Sequence, residues 1–132
     1  MALSSISSII LKKNLRKKIS KMKGKEFNKA EVFNLEHSIE YAKDAVVSRT
    51  VINRPEATIT LFAFDQGQGL SEHSTPFDAQ VQILDGTVKI LIDGKPSEVN
   101  KGEIIILPAN IPHALEAVSS FKMLLTMIKN KV

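Results

Sequence analysis

The sequence predicts an all-β fold, a sandwich or a barrel, and three observations carry that expectation. Past residue 45 the chain falls into short stretches rich in Val, Ile, Thr and Phe: VVSRTVI, ATITLFAF, AQVQIL, TVKILI, EIIIL and FKMLLTMI. Pro, Gly, Asp and Asn punctuate them, as at Asn53-Arg54-Pro55 and Pro108-Ala109-Asn110. Asp85-Gly86 and Asp93-Gly94 read as hairpin turns, because glycine takes the positive φ that tight turns demand.

In chain order, residues 1–30 form a basic, Ser-rich extension expected to be disordered or helical, with Leu11, Leu15, Ile19 and Met22 at helical spacing. Its composition fits an organellar transit peptide, a membrane-surface helix, an unstructured leader, or an upstream start to a protein beginning at Met22. Residues 31–132 are read as the single folded domain. Asn34 to Lys43, NLEHSIEYAK, is the one helix-like stretch ahead of the strands, a short helix or an edge connection. The strands then follow one another with neither an internal repeat nor a second domain. The closing strand carries Phe121, Met123, Leu124, Leu125, Met127 and Ile128, apolar on both of its faces. One face needs cover beyond the chain's own core. A homodimer through this strand is expected, with the extension or the 34–43 segment folding over it as the alternative.

Composition narrows the function classes. A chain of 132 residues with 43% hydrophobic content suits one core, and it has no apolar run of membrane-spanning length. The absence of Cys excludes disulfides, thiolate metal sites and cysteine nucleophiles. It fits a cytoplasmic location, or an organellar one if residues 1–30 are a transit peptide. The formal charge of +4 is uneven: residues 1–30 hold nine basic groups against Glu26 alone, and the remainder holds nine against thirteen acidic. The folded part is therefore acidic, and no nucleic-acid partner is expected.

Two segments carry a family resemblance. GLSEHSTPFDAQVQILDG from Gly69 to Gly86 and GEIIILPANIPH from Gly102 to His113 resemble the two signature motifs of small single-domain cupins. The resemblance spans roughly Val46 to Ile128. In the first motif His73 keeps the first histidine place, Thr75 takes the second, Ala79 takes the glutamate place and Gly86 closes the motif. In the second, Gly102, Pro108 and His113 match, Asn110 stands for a glycine and Ala117 for an asparagine. Membership would imply a double-stranded β-helix, or jelly roll, with a site inside the barrel mouth. It would not select a reaction, since cupins serve many chemistries.

By that resemblance His73, Thr75, Phe77 and His113 are the candidate ligand-binding residues, and His73 and His113 the candidate metal ligands. Two imidazoles could hold a divalent transition metal, Zn²⁺, Fe²⁺, Mn²⁺ or Ni²⁺. A catalytic metal, however, takes three protein ligands, and here Thr75 and Ala79 replace two. Strand alternation that turns Ala79, Val81 and Ile83 inward turns Asp78, Gln80 and Gln82 outward. Leu61, Phe62, Phe64, Ile83, Ile106 and Leu107 are candidates for an apolar cavity wall, subject to which of them point inward. Two functions stand open: a barrel that binds a small molecule, or a metal-dependent enzyme, such as a dioxygenase or isomerase, acting on a small polar substrate. No catalytic residue is assigned.

Overall fold

The computed structural model describes residues 25–129. Expectations placed on residues 1–24, including a start at Met22, lie outside them.

Nine strands run through the described residues: β1 Val46–Asn53, β2 Ala57–Phe64, β3 Gly69–His73, β4 Asp78–Asp85, β5 Thr87–Ile92, β6 Lys95–Asn100, β7 Ile104–Leu107, β8 His113–Ala117 and β9 Phe121–Ile128. They form a five-stranded sheet in the order β1-β2-β9-β4-β7 and a four-stranded sheet in the order β3-β8-β5-β6, antiparallel throughout. No helix lies among the described residues, and none is long and apolar enough to cross a membrane.

Alternation along the strands builds the core between the sheets. Phe62 faces Met123, Ala79 faces Met127, Val81 faces Leu125 and Ile83 faces Met123, all buried. Ile90 pairs with Leu115 and Val88 with Ala117 on the opposing sheet. Phe64 stacks on Phe121, with ring centroids 4.6 Å apart. Of the six candidate wall residues, Phe62, Phe64, Ile83 and Leu107 point inward. Leu61 and Ile106 do not: Leu61 pairs with the outward Leu124, and Ile106 pairs with the outward Gln80 and is exposed.

The two turns differ. Asp93-Gly94 closes the β5–β6 hairpin, with Ile92 opposite Lys95 and φ of 52° and 78°, the pair of left-handed residues of a type I′ turn. Asp85-Gly86 is not a hairpin, because β4 and β5 belong to different sheets and the turn carries the chain between them. Gly86 has φ 75°, and a Cβ there would run into the Ser120 carbonyl oxygen.

Asn34 to Lys43 forms turns and bends, an edge connection and not a helix. The Asn34 side chain accepts from the His37 amide and the Ser38 hydroxyl bonds the Asn34 carbonyl, local bonds that compete with helical ones. The segment straps the outer face of the larger sheet. Arg49 donates to the Ser38 carbonyl, and Lys122 Nζ donates to the Glu36 carbonyl at 2.5 Å while lying 5.1 Å from the Tyr41 ring centroid. Ile39 and Ala42 are buried with Leu61 and Ala63 in the same hydrophobic cluster. Upstream, the Phe27 amide donates to the Val51 carbonyl, and the Arg49 guanidinium lies 4.1 Å from the Phe27 ring centroid.

Candidate functional site

His113 opens β8 and His73 closes β3, and they are register partners. Strand alternation alone would not have paired them. Leu70 is buried opposite Leu115, and from there a regular strand would turn His73 to the outer side. Between these pairs Ser71 and Glu72 on β3 stand against Ala114 alone on β8, a β-bulge that leaves Ser71 and Glu72 exposed and rotates His73 inward. On β8, His113 shares the inward side with Leu115 and Ala117. It is only 1% exposed.

The two rings meet edge to face, with centroids 4.4 Å apart and planes at 70°. Their Nε2 atoms are 3.1 Å apart. Each Nδ1 faces a backbone carbonyl: Ser71 at 2.7 Å for His73, Ile111 at 3.3 Å for His113. A carbonyl only accepts, so each of these contacts asks for an N–H, and the Nε2 contact asks for a third. Two neutral imidazoles have two. One of the three contacts therefore goes without a proton, and the tautomers of the two rings set which. Burial of His113, followed by the proximity of His73, holds its pKa below the usual imidazole value of 6.5, which favours the neutral form of His113.

The other candidates line the same end of the barrel in different ways. Thr75 is buried, but its hydroxyl donates to the Phe77 carbonyl at 3.0 Å and accepts from the Phe77 amide at 3.3 Å. Phe77 is half-buried and packs against the core. Asp78 points outward, where its Oδ1 accepts from the Ala109 amide at 2.8 Å. The Asn110 amide donates to the Thr75 carbonyl at 2.6 Å, so the 74–77 connection and the 108–112 turn are clasped together beside the histidines. Asn110 has φ 66°, a left-handed conformation that Asn tolerates better than other non-glycine residues. The carbonyls of Ser71 and Ile111 that orient the rings carry no side-chain signature and were invisible in the sequence.

Does this donor set suit a metal? Two Nε2 atoms converge from rings whose Nδ1 atoms face backbone carbonyls, as the free nitrogens of ligating histidines do. Among the described residues, however, no group of three or more His, Cys, Asp or Glu could hold a metal ion. His37 is exposed in the strap. The chain supplies two ligands here, and the remaining positions would fall to water or to a bound molecule.

The sequence matches the cupin domain family over residues 60–129. A conserved protein of unknown function from Streptococcus pyogenes is 40% identical, with a TM-score of 0.77 over 82% of this chain and 95% of its own. A cupin 2 conserved barrel domain protein from Leptotrichia buccalis is 45% identical over 74% of this chain and 47% of its own, with a TM-score of 0.71. Salicylate 1,2-dioxygenase from Pseudoaminobacter salicylatoxidans shares the fold alone, at 14% identity and a TM-score of 0.59 over 63% of this chain and 26% of that one. No curated protein matches.

Proposed function

The chain belongs to the cupin domain family, and on that premise we propose that it binds a small organic molecule in the barrel, with the His73–His113 pair as the polar end of the site, and acts as a homodimer. The observation that carries the binding reading is the imidazole pair, set on the inward face of a largely apolar barrel with no third ionisable ligand group beside it among the described residues. Such a pair orients a ligand that can both donate and accept a hydrogen bond, while the inward Phe, Ile and Leu side chains bury its apolar part. Thr75 stiffens the turn beside the pair, and Phe77 walls the mouth.

Thermal-shift screening of small organic acids, alcohols and amides on the intact chain tests this. A ligand at about a hundred times its dissociation constant adds about 2.7 kcal/mol of stability, and His113→Ala should abolish that gain.

One observation favours a second reading, a divalent transition metal (Zn²⁺, Fe²⁺, Mn²⁺ or Ni²⁺) held by both Nε2 atoms. It is the tethering of both Nδ1 atoms to carbonyls, which suits two ligating rings. A metal there would supply Lewis acidity toward a bound substrate. The tautomers separate the readings. In the metal-free reading His113 donates through Nε2–H to His73; a metal held by both Nε2 atoms would leave the His113 proton on Nδ1. Nitrogen-15 NMR of the untagged protein, with metal content measured beside it, is expected to show the Nε2–H form of His113. About one equivalent of metal, lost in both His73→Ala and His113→Ala, would overturn the first reading in favour of the second.

A further inference from the structure

We infer that the barrel holds a further set of ligand contacts, a wall of hydroxyls on β1 and β2 centred on Thr58, and that the molecule it takes is a small neutral polyol. This rests on the binding reading above and adds to it the chemical class of the ligand.

The buried polar residues among those described are Thr58, Thr75, His113 and Lys122. All but one have partners. Thr75 bonds Phe77, His113 meets His73, and Lys122 donates to the Glu36 carbonyl. The hydroxyl of Thr58, a residue only 9% exposed, bonds none of the described residues. A buried hydroxyl without a partner costs stability, so such a group calls for a bond from outside the protein chain.

Register shows where Thr58 points. β2 and β9 pair without a shift from Ala57 opposite Ile128 to Phe64 opposite Phe121. Thr58 therefore shares a side with its partner Met127, and Thr60 with Leu125, the inward side that Phe62 and Met123 also take. On β1, Thr50 pairs with Thr60 and Ser48 with Phe62, ahead of the irregularity that follows Thr50. Ser48, Thr50 and Thr60 are half-buried.

The connections set this wall opposite the histidines. Residues 65–68, Gly86, 101–103 and 118–120 each join a strand of one sheet to a strand of the other by a short crossing, which lays β3 over β2, β5 over β4, β6 over β7 and β8 over β9. All four crossings lie at one end. His73 and His113 stand at the other, where β2 begins with Ala57 and Thr58. His73 on β3 thus faces β2 across the barrel.

Charge selects the ligand. Among the described residues no carboxylate or cation is buried on the inward side: Lys122 lies under the strap, and Lys95, turned inward by register, is exposed on β6, the edge of the smaller sheet remote from β3. A buried anion would lack a fixed counter-charge. Ligand hydroxyls both donate and accept, and so match threonine hydroxyls and imidazole nitrogens alike. Met127, Leu125 and Phe62 offer apolar contact to the C–H face of the same molecule.

The test is calorimetric titration of the full chain with glycerol, xylitol, sorbitol and glucose, beside hexanoate and hexanamide. Millimolar concentrations avoid the general stabilisation that excluded polyols give at high concentration. At least one polyol should bind, Thr58→Val should weaken it about tenfold, as the loss of one hydrogen bond does, and Thr58→Ser should retain it. A second readout needs no ligand: valine in place of a hydroxyl without a protein partner should leave the thermal midpoint unchanged or raised. A lowered midpoint in Thr58→Val, or polyol binding indifferent to that change, would overturn the hydroxyl wall. Binding of hexanoate or hexanamide but of no polyol would refute the ligand class and leave the barrel-binding reading standing, while binding of none would count against both.

Discussion

The site depends on single residues held in unusual settings, and His113 is the first. Its folded pKa lies below 6.5, through burial first and His73 second. As pH falls, the unfolded chain therefore takes up a proton before the folded one does. The stability tied to His113 is complete above about pH 6.5 and declines as pH drops through that value toward the lower folded pKa. Urea unfolding at about pH 7.5, 6.5 and 5.5 should show this decline, and His113→Gln should flatten it. Carboxylates such as Asp65, held low by the Asp44 amide and Ser120, act only further toward acid. Gly86 is a second such residue. With φ 75° and the Ser120 carbonyl against its Cα, Gly86→Ala should cost at least about 2 kcal/mol in chemical denaturation. Both residues stood out in the sequence because they fall on motif positions. What did not stand out was the orientation of His73, since a period of two predicts its face only where the strand is regular, and β3 is bulged.

At the scale of elements, the six apolar stretches emerge as strands with nearly the expected bounds, because β-branched runs between turn formers leave few alternatives. The strap was ambiguous for a physical reason: its apolar residues, Leu35, Ile39 and Ala42, have helical spacing, but Asn34 and Ser38 divert the backbone bonds. Its hold on the sheet centres on Lys122 and on Tyr41, whose hydroxyl donates to Asp85 at 2.5 Å. Burial and that carboxylate together push the Tyr41 phenol well up from its usual pKa. Tyr41→Phe should cost about 1 kcal/mol. Lys122→Ala, which also removes the covered side-chain stem, should cost about 1–3 kcal/mol. Hydrogen exchange would place the loss, with the Ala45 and Ser38 amides losing protection before the amides of β5 and β8.

For the whole molecule, two sheets of unequal width enclose one core, and cover on the outer face of the larger sheet decides what the barrel can touch. Residues 25–45 supply half of that cover, and this bears on where the folded unit starts. Phe27 bonds Val51 and Glu26 pairs with Arg54 at 3.1 Å. A chain starting at residue 25 should therefore unfold within a few degrees of the parent, while one starting at residue 31 should lose about 1–2 kcal/mol by removal of Phe27 from its contact with Arg49. Differential scanning calorimetry of the two truncations measures the difference. The apolar outer side of β9 pointed toward a partner in the sequence. Only the structure showed that the strap meets that strand at its Lys122 end.

By itself the sequence determined the all-β class, the strand set, the family and the pair of histidines, since each rests on residue type and short-range spacing. Tertiary structure decided how those parts face one another. It made Asp85-Gly86 a passage between sheets, set Leu61 and Ile106 on the outside, turned His73 inward through a bulge, and set the two rings against the carbonyls of Ser71 and Ile111. The physical reason is common to all four: sheet membership, register and backbone acceptors are relations between distant segments, and one residue of slip reverses every side chain beyond it.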